Sequence, residues 1–109
     1  HDPQFVPFHR LIETVGARYG RPLLVAETGT EGEECAAWLR YMAAELQKAA
    51  RCMTLAGLCL YPVLDYPGWA DGRHCVCGII GSDASWSHRW LHGYMGGSLA
   101  EARQLLLEC

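Results

Sequence analysis

Glu27 is the residue whose position offers the most chemistry. It closes the unbroken apolar run Leu23-Leu24-Val25-Ala26 and is followed by Thr28-Gly29-Thr30. A carboxylate at the end of such a run is unfavourable unless it is hydrogen-bonded, paired or held at an exposed rim. In parallel α/β architectures the carboxyl ends of the strands are where sites assemble. Position alone leaves a second reading open, in which Glu27 joins Glu31, Glu33 and Glu34 in a solvated acidic cluster. Tyr61 closes a second apolar run and stands beside Glu27 if the two runs are neighbouring strands.

Other reactive side chains carry weaker signals. His74-Cys75-Val76-Cys77 raises the question of a metal, but zinc sites use four ligands in paired clusters such as CxxC. The spacing here is CxC with no second pair nearby, so no metal is expected, and no triad pattern supports a thiol nucleophile. His88 and His92 lie four apart and could share a helical face, as surface or packing residues. Trp86 and Trp90, also four apart, are expected to pack the last helix.

The elements that must position these residues follow from periodicity. Phe8, Leu11, Ile12, Val15 and Tyr19 recur at helical steps, with Pro7 near the start, Gly20 as a cap and Pro22 as a stop. Leu23 to Ala26 reads as a strand buried on both faces. A helix runs from the acidic mouth at Glu31, Glu33 and Glu34 to about Ala50. Its apolar stripe is Cys35, Trp38, Leu39, Met42, Leu46 and Ala49, with Arg40, Glu45 and Lys48 on the other side. The run Leu55 to Leu60 is a second strand, and the βαβ connection makes the pair parallel. Residues 62 to 87 read as one long loop without a period, a length associated with function. Ser98-Leu99-Ala100-Glu101 is a capping box opening a last helix, whose inner face is Leu99, Ala102, Leu105 and Leu106.

Composition narrows the classes. Of 109 residues, 50% are apolar and 19% charged, against about 25% charged in an ordinary soluble domain. That balance excludes disorder. No uncharged apolar stretch of about 18 residues exists, so no membrane span is expected. Nine Lys+Arg against twelve Asp+Glu, with no basic run, argue against nucleic acid. The six cysteines fall partly in helix and strand patterns, which favours reduced thiols and a cytoplasmic setting. No signal peptide is visible, and the first residue is His. Two parallel strands do not make a stable sheet by themselves, so a larger assembly is expected to complete this one.

The segment Arg21-Pro22-Leu23-Leu24-Val25-Ala26-Glu27-Thr28-Gly29 resembles the seventh-strand motif of the large clan of retaining glycoside hydrolases built on the (β/α)8 barrel. Gly57-Leu58-Cys59-Leu60-Tyr61-Pro62-Val63-Leu64-Asp65-Tyr66-Pro67-Gly68-Trp69 resembles strand eight and its loop, as in β-glucosidase-like bacterial proteins of that clan. Gly78-Ile79-Ile80-Gly81-Ser82-Asp83, followed by Trp86, is similar to the Gly-Leu-x-x-x-Asp stretch leading into the last barrel helix. The resemblance runs from the first helix to about Trp90.

It implies an α/β fold, the C-terminal part of a TIM barrel: helix, strand 7, helix 7, strand 8, long loop, helix 8, in one segment over residues 1–109. It also implies hydrolysis of a β-glycosidic bond with retention, without metal or organic cofactor. Glu27 would be the nucleophile, and the acid/base carboxyl would stand about 5–5.5 Å away. In the family that partner ends strand four, usually after an Asn, and this chain contains no Asn. The chain would then supply half of a catalytic pair, inactive alone, with a carbohydrate substrate and either the rest of the barrel or a second copy as partner. Tyr61, Asp65 and Trp69 are the candidate substrate contacts. Their plainer alternatives are a core-edge aromatic, a turn former and loop packing. The rival classes are a non-catalytic α/β module that binds carbohydrate or protein through residues 61 to 90, and a pseudoenzyme retaining Glu27.

Overall fold

The computed structural model describes residues 2–108. Helix α1 (Phe8–Tyr19) ends on Gly20, whose φ of 60° is the left-handed conformation that glycine adopts without a Cβ penalty. Strand β1 (Leu23–Thr28), helix α2 (Glu34–Ala49) and strand β2 (Leu55–Leu60) follow, and the two strands pair in parallel. The expected βαβ unit is therefore present, with α1 and α2 on the same side of it.

The core lies between this strand pair and the helices. Ile12, Leu46 and Ala49 bury one end of it, with Phe8, Leu23, Val25 and Leu55 packed around them. Cys35, Leu39 and Ala43 of α2 bury the other end, against Met95 and Ala102 of helix α3 (Gly93–Leu107) and against Leu58 and Leu60. Contrary to what their apolarity predicts, the strands are not buried on both faces. Leu24, Ala26, Ala56 and Cys59 point to an exposed side. The helices cover one face only, so the residues that alternation directs to the opposite face meet no layer among the described residues. Cys59 is on that open face and Cys52 follows α2 in an exposed turn, so neither is the core residue that its pattern implies.

Residues 62 to 87 are more ordered than a loop. Strands β3 (Tyr66–Pro67) and β4 (His74–Cys75) form a short antiparallel hairpin. Strand β5 (Ile80–Ser82) pairs antiparallel with β6 (Arg89–Leu91). His88 and Trp86 lie in the β5–β6 connection and Trp90 on β6, so neither the histidine pair nor the tryptophan pair shares a helix. Helix α3 begins five residues before the expected box. Gly93, Gly96 and Gly97 are poor helix formers and disguise its first turn. Ser98 is a buried helical residue that donates to the Met95 carbonyl at 3.0 Å, not a cap.

One charged residue expected on the solvent side of α2 is inside. Glu45 is 3% exposed and accepts from the His9 backbone N–H at 3.0 Å. His9 Nδ1 lies 2.7 Å from one carboxylate oxygen, and Lys48 Nζ donates to the other at 2.6 Å. Burial pushes the Glu45 pKa up, but the His9 amide and the Lys48 and His9 side chains outweigh it and bring the value down to about 2. Three hydrogen-bonding groups thus let a helix bury a carboxylate and tie the start of α1 to α2. No helix among the described residues is long and apolar enough to cross a membrane.

Two consequences follow. Glu45→Gln is expected to lower unfolding free energy by about 1–3 kcal/mol in urea titrations at neutral pH. Because the folded pKa is depressed from 4.5, this contribution is fully present above about pH 5 and is lost as pH falls towards 2. The gap between wild type and variant should therefore close in acid. The second concerns Gly29, where a Cβ would collide with the backbone carbonyl oxygen of Tyr61. Backbone cannot step aside as a flexible side chain does, so Gly29→Ala should cost about 1–3 kcal/mol and loosen the β1–β2 exit, read by the same titration.

Candidate functional site

The exits of β1 and β2 form one concave region. A cavity of about 420 Å³ is lined there by Glu27, Thr28, Gly29, Glu31, Tyr61, Tyr66 and Cys77, among others. That volume lies within the usual range for small-molecule sites, about 300–1,000 Å³.

A register irregularity in β1 explains why Glu27 faces this cavity. Val25 is opposite Leu58 and Thr28 opposite Leu60, so three steps on β1 match two on β2. One extra residue reverses the alternation beyond it. With a regular register Glu27 would face the helices, as Val25 does. With the extra residue Thr28 takes that inward place. Thr28 is buried, and its hydroxyl accepts from Trp38 Nε1 at 2.7 Å. Trp38 is only partly covered on α2, so its role in the stripe is this bond as much as packing. Thr28 also accepts the Tyr61 backbone N–H at 2.9 Å, which holds the two strand ends level. Glu27 is exposed, and its carboxylate has no hydrogen-bond or ion-pair partner among the described residues.

Tyr61 and Tyr66 form the far wall, with ring centroids 6.3 Å apart and planes tilted by 50°. Burial raises the pKa of the Tyr66 hydroxyl. Cys77 stands beside them with its thiol pushed up to about 11 by burial, which keeps it protonated and a poor nucleophile. Glu31 is a second carboxyl on the lining. Arg73 donates to it at 2.9 Å and holds its pKa below the ordinary value.

Of the four residues singled out from sequence, Glu27 and Tyr61 meet at this cavity. Asp65 and Trp69 do not line it. Asp65 is 3% exposed and turned inward, accepting the Gly78 N–H at 2.8 Å. Trp69 lies at the tip of the β3–β4 hairpin and is 89% exposed. Tyr66 and Glu31 were not among the sequence candidates. Five-residue spacing from Tyr61 was the available signal for Tyr66, and only the hairpin that folds it back gives that spacing meaning. Among the described residues no group of three or more His, Cys, Asp or Glu could hold a metal ion.

No family model matches the sequence, and no curated protein does. Solved structures do. The family 1 β-glucosidase of Thermotoga maritima, in complex with isofagomine lactam, superposes with a TM-score of 0.73 at 19% identity over 92% of this chain. The β-glycosidase of Thermosphaera aggregans gives 0.71 at 21% identity over 90% of it. Aphid myrosinase gives 0.71 at 17% identity over 96%. The chain spans about a quarter of each: 26%, 23% and 26% of their lengths, in that order. Its fold is that of an α/β portion of a β-glucosidase-type TIM barrel.

Proposed function

We propose that the chain is the nucleophile-bearing portion of a retaining O-glycosidase, a single segment supplying the last two strands of a (β/α)8 barrel. The observation that carries this reading is the free carboxylate of Glu27 at the exit of β1, turned by a register irregularity into a cavity shared with Tyr61. Glu27 attacks the anomeric carbon of a β-glycoside, and the bond to the leaving-group oxygen breaks. The leaving oxygen needs a proton from a second carboxyl, which later takes a proton from the water that releases the sugar. Glu31 is unsuited to that role, because Arg73 keeps it ionised. The acid/base therefore comes from outside these residues, and the chain alone turns over no glycoside.

The remainder of the barrel is the partner this reading requires. Leu24, Ala26, Ala56 and Cys59 on the open strand face, and the free edges of both strands, are the surfaces it would cover. Tyr61 and Tyr66 supply hydroxyls and ring faces to the sugar, and Trp69 contacts the part of the substrate that projects outward. No cofactor enters the reaction. Five free thiols among the described residues suit a reducing, cytoplasmic setting.

A carbohydrate-binding module or a pseudoenzyme is the second reading, favoured by the absence of a competent acid on the cavity lining. The two separate in the protein as its gene encodes it. Glu27→Gln is expected to lower hydrolysis of an aryl β-glucoside by about 10³-fold or more while sugar binding persists. Equal hydrolysis by wild type and variant would remove Glu27 from the mechanism. Binding without hydrolysis in the wild type would establish the module.

A further inference from the structure

The far wall of the cavity is held by a carboxylate that does not enter it. Asp65 immediately precedes Tyr66, and Gly78 immediately follows Cys77, so the segment between them carries both wall residues. Asp65 Oδ1 closes that segment by accepting the Gly78 N–H at 2.8 Å. The approach is possible because Gly78 has no side chain: a Cβ there would collide with the Leu64 backbone. The other oxygen, Oδ2, meets two imidazoles. His92 Nε2, from the start of α3, lies 3.2 Å away, and His74 Nε2, from β4, lies 3.4 Å away. Each ring is set by an aromatic neighbour. His92 stacks on Tyr94 at 5.0 Å between centroids, and His74 lies against Trp86 at 4.8 Å.

The geometry points to a clasp: Asp65, His74 and His92 are positioning residues that fix Tyr66 and Cys77 at the cavity wall and keep them fixed across the pH range in which histidines titrate. The clasp shapes the cavity whatever molecule enters it, so it goes beyond the glycosidase reading.

The pH tolerance follows from donor and acceptor counting. A neutral imidazole with its proton on Nε2 donates to Oδ2, and so does the imidazolium. A carboxylate accepts from both at once and so suits either state. The remaining groups nearby do not compete for Oδ2. Cys35 and Cys77 are thiols raised by burial, and Tyr94 is a phenol raised by burial. Arg89 faces Trp86, with its guanidinium 5.9 Å from the ring centroid.

Asp65→Asn reverses the logic. The carboxamide oxygen still accepts from Gly78, but the NH₂ now needs acceptors. Neutral histidines in the other tautomer provide them, and imidazolium does not. The test is the hydrogen-exchange protection factor of the Gly78 amide in the full chain, with the Leu46 amide of α2 as a control for global folding. In wild type, Gly78 protection should change less than about threefold between pH 8 and 5, where histidines ordinarily take up a proton. In Asp65→Asn it should match wild type at pH 8 and fall by about tenfold or more at pH 5, with Leu46 unchanged. Parallel profiles for the two proteins would overturn the clasp. Imidazole ¹⁵N shifts of the wild type at pH 8 give a check that needs no variant. Protons on Nε2 of both His74 and His92 are required, and a neutral ring carrying its proton on Nδ1 instead would equally overturn it.

Discussion

The site depends on one residue too many in a six-residue strand. Between Val25 and Thr28 β1 takes three steps where β2 takes two. A strand's faces alternate strictly, so that single insertion decides which side receives the carboxylate and which receives the hydroxyl. The hydroxyl side is then locked by Trp38, which reaches from α2 to Thr28. The lock matters because the alternatives are unequal in energy. A hydroxyl under a helix needs one donor, which Trp38 supplies. A carboxylate there would need several, as Glu45 shows with its amide, imidazole and ammonium partners. Glu27, exposed on the open side, needs no such set of partners.

The same strand pair explains why the molecule is apolar beyond what its helices need. α1 and α2 cover one face, and the residues that alternate to the other face are Leu, Ala and Cys rather than charged side chains. In an antiparallel sheet with one wet face, that side would be polar. Apolar residues on both faces belong to a strand whose second side meets a second layer, and in a closed barrel that layer is the barrel's own interior. The chain's match to about a quarter of several β-glucosidase-type barrels accords with this chemistry. The open face is where the barrel's interior would lie, and the strand exits carrying Glu27 and Tyr61 are where such barrels place their sites.

Periodicity made the βαβ unit legible in the sequence, along with the Gly20 cap and the glutamate at the exit. Those features depend on neighbours in the chain. What escaped depends on distant contacts. Glu45 lies three residues after Met42 and four before Ala49, at the edge of the buried stripe, and the approach of His9 together with Lys48 makes its burial tolerable. The start of α3 was hidden by glycines whose poor propensity is overridden by the packing of Met95 against α2. The two small hairpins within residues 62 to 91 have strands of two or three residues, too short to show alternation. Asp65 looked like a surface turn former or a sugar ligand, because nothing local reveals that residues 74, 78 and 92 return to meet it. Tyr66 escaped for the same reason, since its place on the wall is set by that closure.

The two sides of the cavity are therefore held by different devices. The Glu27 side is fixed by strand register and by a bond to α2, groups that do not titrate near neutral pH. The Tyr66 side is fixed by a carboxylate and two imidazoles that link two hairpins to the start of α3. The loop after β1 ties the two sides to each other, through Arg73 donating to Glu31 at 2.9 Å and the Gly32 N–H donating to the Val76 carbonyl at 2.6 Å. On the reading proposed above, Glu27 as nucleophile would have to be held to a fraction of an ångström, whereas an aromatic wall tolerates small adjustments to different ring substituents. The rigid backbone device is at the carboxylate and the side-chain device at the aromatic wall, which is the allocation those two demands call for.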